Sequence, residues 1–240
     1  MLANNLTVGG WLNARALRWA FLVGVALDLT LVGGRALLYP AAVTLPGGWI
    51  YLLEPLVLLL VYAGLGWLMT RSSSPARQAA LRDGALFGLV SGAVWVVSLA
   101  LETFADLSAQ VAAPLSLVLF LCAFLPWGMA GLRTARRGGS MLLAILAAVW
   151  SAMNSIVILV TFGFLLMYTS LPRLEQDIAT APEFLSSGWH DVGAYAIANT
   201  FDAGFSHLLI APLVAVVFGA LGALLGSTIR RLKSAPGAAP

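Results

Sequence analysis

Charge is what this chain has least of: Asp, Glu, Lys and Arg together make up 10% of its 240 residues. An ordinary soluble domain carries about a quarter. With 60% of the residues hydrophobic, the chain has too few polar groups to cover its own surface, so lipid must be part of its solvent. Cysteine is nearly missing as well. The one present, Cys122, lies inside an apolar run, which excludes an internal disulfide and a cysteine metal cluster and leaves it as a small hydrophobe. The two histidines, His190 and His207, are too few for a pair of bis-histidine haem sites. Phosphate-binding glycine loops, zinc spacings and protease glutamate motifs do not occur. The expectation is a protein without catalytic residues, cofactor or metal.

What is present in quantity is long apolar sequence. A helix needs about twenty largely apolar residues to cross a bilayer core. Six stretches qualify, at about 16–39, 49–70, 84–102, 111–132, 140–169 and 204–229. They predict an all-α fold, a polytopic transmembrane helix bundle of six spans in a single domain. Arg15 and Arg18 before an apolar stretch imitate a signal peptide, but Asp28 interrupts that stretch and five more spans follow, so the first span is expected to stay uncleaved. Pro126 is expected to kink a continuous fourth span, and the fifth exceeds a bilayer core and should tilt or project. Residues 170–203 form the only long loop, and its second half, GWHDVGAYAIANTF, reads as a short surface helix with Trp189 and Tyr195 at headgroup level. Residues 234–240 read as a flexible tail.

The few charges are sorted by side. Arg15, Arg18, Arg71, Arg77, Arg82, Arg133, Arg136, Arg137, Arg230, Arg231 and Lys233 fall on one side of this map, and only Arg35 and Arg173 on the other. By the positive-inside rule the protein sits in the cell membrane with both termini cytoplasmic. Glu54, Glu102, Asp106, Glu175, Asp177, Glu183, Asp191 and Asp202 lie outside or at the outer interface. The net charge of +3 is thus a topology signal, not a nucleic-acid footprint.

Some of the spans resemble one another. LRDGALFGLVSGAVW overlays ARRGGSMLLAILAAVW, with Arg82, Gly84, Val94 and Trp95 falling on Arg137, Gly139, Val149 and Trp150. The even spans share Pro-Leu near their starts, at Pro55, Pro114 and Pro212, where a missing N–H suits a first helical turn. Three repeated αα-hairpins would produce this, and so would shared composition; both readings stay open. Gly84, Gly88 and Gly92 recur at four-residue spacing, as do Gly222 and Gly226, and predict faces where another helix approaches closely.

The odd feature is ionised groups inside a span. Asp28 lies about 15 Å along the helix from Arg18, near the bilayer midplane, and Arg35 lies two turns further on. A charge at the centre costs about 2.5–3.5 kcal/mol on insertion scales, so Asp28 should face protein or water. Arg35 is near enough to the boundary to snorkel. Glu54, Glu102 and Asp202 are expected to gather around Arg35, above a floor including Asn154 and His207. Together Asp28, Arg35, Glu54, Glu102, Asn154, Asp202 and His207 describe an outward polar pocket, or else an internal hydrogen-bond network that sets helix register.

Two functional readings follow. One is a small-solute transporter or its substrate-capturing subunit; the other is a non-transporting sensor, assembly factor or accessory subunit. Both have the lipid bilayer around them, and both leave room for a membrane-protein partner. Six spans with both ends inside and outward polar groups under a long loop are similar in layout to the substrate-binding subunits of energy-coupling-factor vitamin transporters. Those carry an Ala-x-x-x-Ala contact motif on the first span, which Ala16 and Ala20 fit. TFDAGFSHLLIAPL resembles part of the histidine-bearing helix of rhomboid proteases. Asp202 replaces their histidine there, Ala211 replaces their asparagine, and no Gly-x-Ser-Gly nucleophile is present, so that activity is not expected.

The topology has a direct check. In a Cys122→Ala background, cysteine introduced at Ser187 should react with an impermeant thiol reagent applied to intact cells, and cysteine at Ser73 should not. Equal labelling at both would overturn the orientation.

Overall fold

A computed structural model describes residues 14–71 and 74–234. All regular structure among them is helical: α1 (Ala14–Leu38), α2 (Ala41–Thr44), α3 (Gly48–Thr70), α4 (Pro75–Phe104), α5 (Ala109–Arg136), α6 (Met141–Thr169), α7 (Leu171–Ala179), α8 (Pro182–Ser187) and α9 (Val192–Ser234). Six of these, α1, α3, α4, α5, α6 and α9, are long and apolar enough to cross a membrane. The protein is a multi-pass, six-span helical bundle. The tail expected over 234–240 lies outside the described residues, except for Ser234, which ends α9.

The bundle is built around α6. Of its apolar window 67% is buried by other helices, against 22–33% for the remaining spans. The sequence explains this position. α6 carries no charge, and Ala144, Ala147, Ala148, Ser151, Ala152 and Ser155 are all buried, a run of small side chains that lets neighbours approach. α1, α4, α5 and α9 all pack on it.

The predicted glycine faces are where that approach is closest. A Cβ at Gly84 would lie 2.5 Å from Ala147 O on α6, one at Gly88 2.7 Å from Ser151 O, and one at Gly92 2.8 Å from the Ile158 side chain. The glycines of α9 do the same against α5, with Gly222 under the Gly128 carbonyl and Gly226 under that of Leu132. Few hydrogen bonds cross between helices, and they are well placed. Ser91 donates to Ala123 O (2.7 Å), Tyr62 to Leu208 O (2.7 Å) and Tyr168 to Leu31 O (2.6 Å). The Trp127 indole lies between Ser91 Oγ (3.0 Å) and Ser155 Oγ (3.2 Å), joining α4, α5 and α6.

Two of the expected boundaries move. The long loop is largely helical, as α7 and α8, and the expected surface helix is instead the start of α9. Asp191 begins that helix by accepting from Ala194 N (2.9 Å), and Ala194, Ala196, Ile197, Ala198 and Phe201 are buried. These small and apolar residues extend the bundle contact beyond the hydropathic span. α9 therefore runs 43 residues, about 65 Å at 1.5 Å per residue, and must project from the bilayer or tilt. Trp189 and Tyr195 pack on each other, ring centroids 5.8 Å apart. The prolines also differ from expectation. Pro55, Pro114 and Pro212 stand inside α3, α5 and α9, because these helices begin upstream of them, at Gly48, Ala109 and Val192. At Pro126 the expectation of a continuous helix agrees with α5, which runs through it. The successive pairs α1–α3, α4–α5 and α6–α9 pack together, as short connections produce with or without a repeat.

Gly88→Leu should destabilise the detergent-solubilised protein by about 1–3 kcal/mol, since its side chain meets the α6 backbone. Gly64→Ala is the control: a Cβ there meets nothing within 4 Å. Equal unfolding midpoints for the two variants would refute close packing at Gly88.

Candidate functional site

The two ends of the bundle differ in chemistry. At one, Arg18 donates to Thr70 O (2.8 Å) and lies over Trp67, while Arg133 and Arg137 converge on Asp83. At the other, Tyr39 donates to Asp191 (3.0 Å), and exposed Asp106 pairs with Arg173 at 3.0 Å. We call them the basic end and the loop end.

A cavity of about 230 Å³ opens near the loop end between α4, α6 and α9. α4 contributes Trp95, Ser98, Leu99 and Glu102, spaced by three or four residues on one helical face. α9 contributes Asn199, Ala203 and His207 at four-residue spacing, with Thr200 and Gly204 beside them. α6 supplies an apolar floor, Leu159, Val160 and Phe164. Two glycines keep the space open. A Cβ at Gly204 would press on Phe164 at 3.0 Å, and one at Gly163 would come no nearer than 3.7 Å to Leu99.

Several polar groups of this cavity have no protein partner among the described residues. The Trp95 indole N–H is buried and makes no hydrogen bond. Glu102, on the last turn of α4, is exposed and enters no ion pair. His207 contacts Ala203 O through Nδ1 at 2.7 Å, which requires the proton on Nδ1 and leaves Nε2 an acceptor in the neutral ring. Buried N–H groups in native structures nearly always have partners. Among the residues that line the cavity, Trp95 carries a buried N–H without a hydrogen-bond partner. The Trp150 indole N–H is also unpaired, but it is sealed in the core against Phe21. Beyond Trp95 and His207, which pack edge to face at 6.0 Å, an aromatic groove continues along Phe120, Phe124 and Trp127.

Of the seven residues expected to form one polar pocket, this cavity takes Glu102 and His207. The others are elsewhere. Asp28 is fully buried on α1, where Thr161 of α6 donates to its Oδ1 at 2.5 Å and its Oδ2 has no partner. Arg35 does not collect carboxylates. Its guanidinium lies over the rings of Tyr39 and Tyr168, at 5.7 and 5.4 Å, and it enters no ion pair among the described residues. Aromatic faces satisfy a planar cation without desolvating an anion beside it. Asn154 turns back to Trp150 O (2.7 Å) in the seam under Gly88. Glu54 and Asp202 stand half-buried on α3 and α9 and do not line the cavity.

Sequence reasoning missed Asn199, Thr200 and Thr103 in the cavity and Asp83 at the basic end. The 199–203–207 spacing was the available signal for α9, hidden because residues up to 203 read as loop. Asp83 was detectable as the one carboxylate among the arginines of the basic side.

Asp28 is open to test. Asp28→Asn keeps an acceptor for Thr161 and should unfold close to the wild-type midpoint. Asp28→Leu puts a larger apolar side chain into a closed space and should cost about 1–3 kcal/mol. A higher melting temperature for the Leu variant would contradict burial within the bundle.

No family model matches this chain, and no curated protein or solved structure matches it. The functional reading therefore rests on the residues of the site.

Proposed function

We propose that this protein is a small-solute transporter, or the substrate-capturing membrane subunit of one, and that the cavity between α4, α6 and α9 holds the solute. The observation that carries this reading is a cavity lined by Glu102, Asn199, His207 and Trp95, whose buried N–H has no hydrogen-bond partner. The rim and the adjoining aromatic groove favour an amphipathic solute. Its acceptor meets the Trp95 indole, a cationic or donor group meets Glu102, and its apolar body lies against Phe164 or along Phe120 and Phe124. The role is binding, with no chemical step.

In this proposal the cavity faces the outside of the cell membrane and both termini are cytoplasmic, as the arginine bias favours. The layout likeness to energy-coupling-factor substrate subunits adds that Ala16 and Ala20, both exposed on α1, form the contact for a coupling partner. The same exposed face favours the second reading, an accessory subunit that docks a membrane partner and carries no cargo.

A thermal-shift screen of small amphipathic solutes against the purified protein separates the two. The transporter reading expects a stabilising solute whose binding weakens about three- to tenfold or more in Trp95→Phe, which keeps an aromatic side chain but removes the N–H together with part of the indole's bulk. Glu102→Gln should weaken cationic solutes more than neutral ones. A solute that binds equally well to both variants would place its site elsewhere. Absence of any hit, together with loss of co-purifying membrane proteins in Ala16→Leu/Ala20→Leu, would favour the accessory reading.

A further inference from the structure

A second recess, about 410 Å³, lies at the basic end and is lined by Phe87, Met129, Leu132, Arg133, Arg136 and Arg137. We infer that it is a binding site for the phosphate headgroup of an anionic lipid. Arg133 and Arg136 on the last turn of α5 and Arg137, which caps it, stand at i, i+3 and i+4 and all line the recess. Some basic charge at a helix C-terminus serves only to offset the helix dipole. Here a buried carboxylate arranges it further. Asp83, on α4, forms an ion pair with Arg133 Nε at 3.2 Å and accepts from Arg137 Nη1 at 2.8 Å. Pairing through Nε leaves both Nη groups of Arg133 available, and among the described residues they have no other partner. Arg136 has no hydrogen-bond or ion-pair partner among the described residues either. Two of the three cations share one carboxylate and the third has none among the described residues, so the recess keeps an excess of positive charge. Guanidinium forks with open Nη groups match phosphate oxygens.

The walls choose a lipid over a free anion. Phe87, Met129 and Leu132 add apolar side chains to the lining of the recess beside the arginines. Met129 continues through Leu125 and Leu121, all three exposed and four residues apart on α5. In a bilayer that strip meets acyl chains, so a phosphate here is joined to tails that the same surface accommodates. Basic recesses between spans at the cytoplasmic side suit such headgroups.

The test uses the full chain in neutral detergent, titrated with phosphatidylglycerol, with phosphatidylcholine of the same acyl chains, and with inorganic phosphate. Native mass spectrometry and the unfolding midpoint are the readouts. Phosphatidylglycerol should bind and stabilise, phosphatidylcholine should do so more weakly, and inorganic phosphate should not compete. Arg136→Gln should keep the lipid-free midpoint, since Arg136 holds no partner among the described residues, and lose about fivefold in phosphatidylglycerol affinity. Asp83→Asn separates an arranged site from a merely positive surface. It raises the net charge yet frees Arg133 and Arg137, so an arranged site loses affinity while a diffuse surface gains it. Equal binding of the two lipids, competition by inorganic phosphate, unchanged affinity in Arg136→Gln, or tighter binding in a folded Asp83→Asn would each overturn the inference. Should Asp83→Asn fail to fold, Arg136→Gln decides alone.

Discussion

Helices surrounded by lipid gain little by hiding leucine from leucine, because the solvent is as apolar as the side chain. What holds such a bundle is close contact between backbones, and here that contact is made along α6. Gly84 and Gly88 of α4 lie against carbonyls of Ala147 and Ser151, and Gly219 of α9 lies against Ile145 and Ala148. The side chains that α6 offers in return are mostly alanine and serine. Dispersion over many short contacts, rather than exclusion of water, is the stabilising term. The outer surfaces of the other spans stay apolar and exposed, as a lipid solvent allows.

The cavity follows from where this seam ends. α4 lies on α6 through Gly92, and from Trp95 onward the residues it turns to the cavity include the bulky Trp95, Leu99 and Glu102. Without glycine at these positions the backbones stand further apart, and the space between them opens. α9 passes the same place with Gly204 and Ala203, which do not fill it. A single change along α4, from glycine to bulky and polar side chains, thus converts a packed interface into a site.

The polar groups of the spans are divided in a related way. In the packed part each inter-helix hydrogen bond ends on a named backbone carbonyl or hydroxyl, as at Tyr62, Ser91, Tyr168 and Trp127. Asp28 departs from this, a carboxyl with one oxygen on Thr161 and the other unpartnered, as do the Trp150 indole and the Ser151 hydroxyl, both buried without partners. In hydrocarbon such a carboxyl is costly, and its position on the α1 side of α6 separates it from the cavity that Glu102 and His207 line. Charge is kept to the two ends, where Asp83 organises arginines at one and Tyr39 and Asp191 fasten α9 at the other.

The sequence by itself determined the six spans, the helical class, the glycine faces and the burial of Asp28, because each depends on composition or on spacing within one helix. Twenty apolar residues must span, and glycines four apart must share a face. Tertiary structure decided everything that depends on which helix lies beside which. Arg35 carried an obvious need for a partner, but only the packing of α1 on α6 shows that Tyr168, not a carboxylate, meets it. Asn199 and Thr200 carried no hydropathic signal for a helix, and joined α9 because Asp191 caps it and alanines beyond the apolar span pack on their neighbours. Asp83 and the arginines of α5 are fifty residues or more apart in the chain. Their pairing exists only because the close glycine contacts hold α4 in the bundle beside α5.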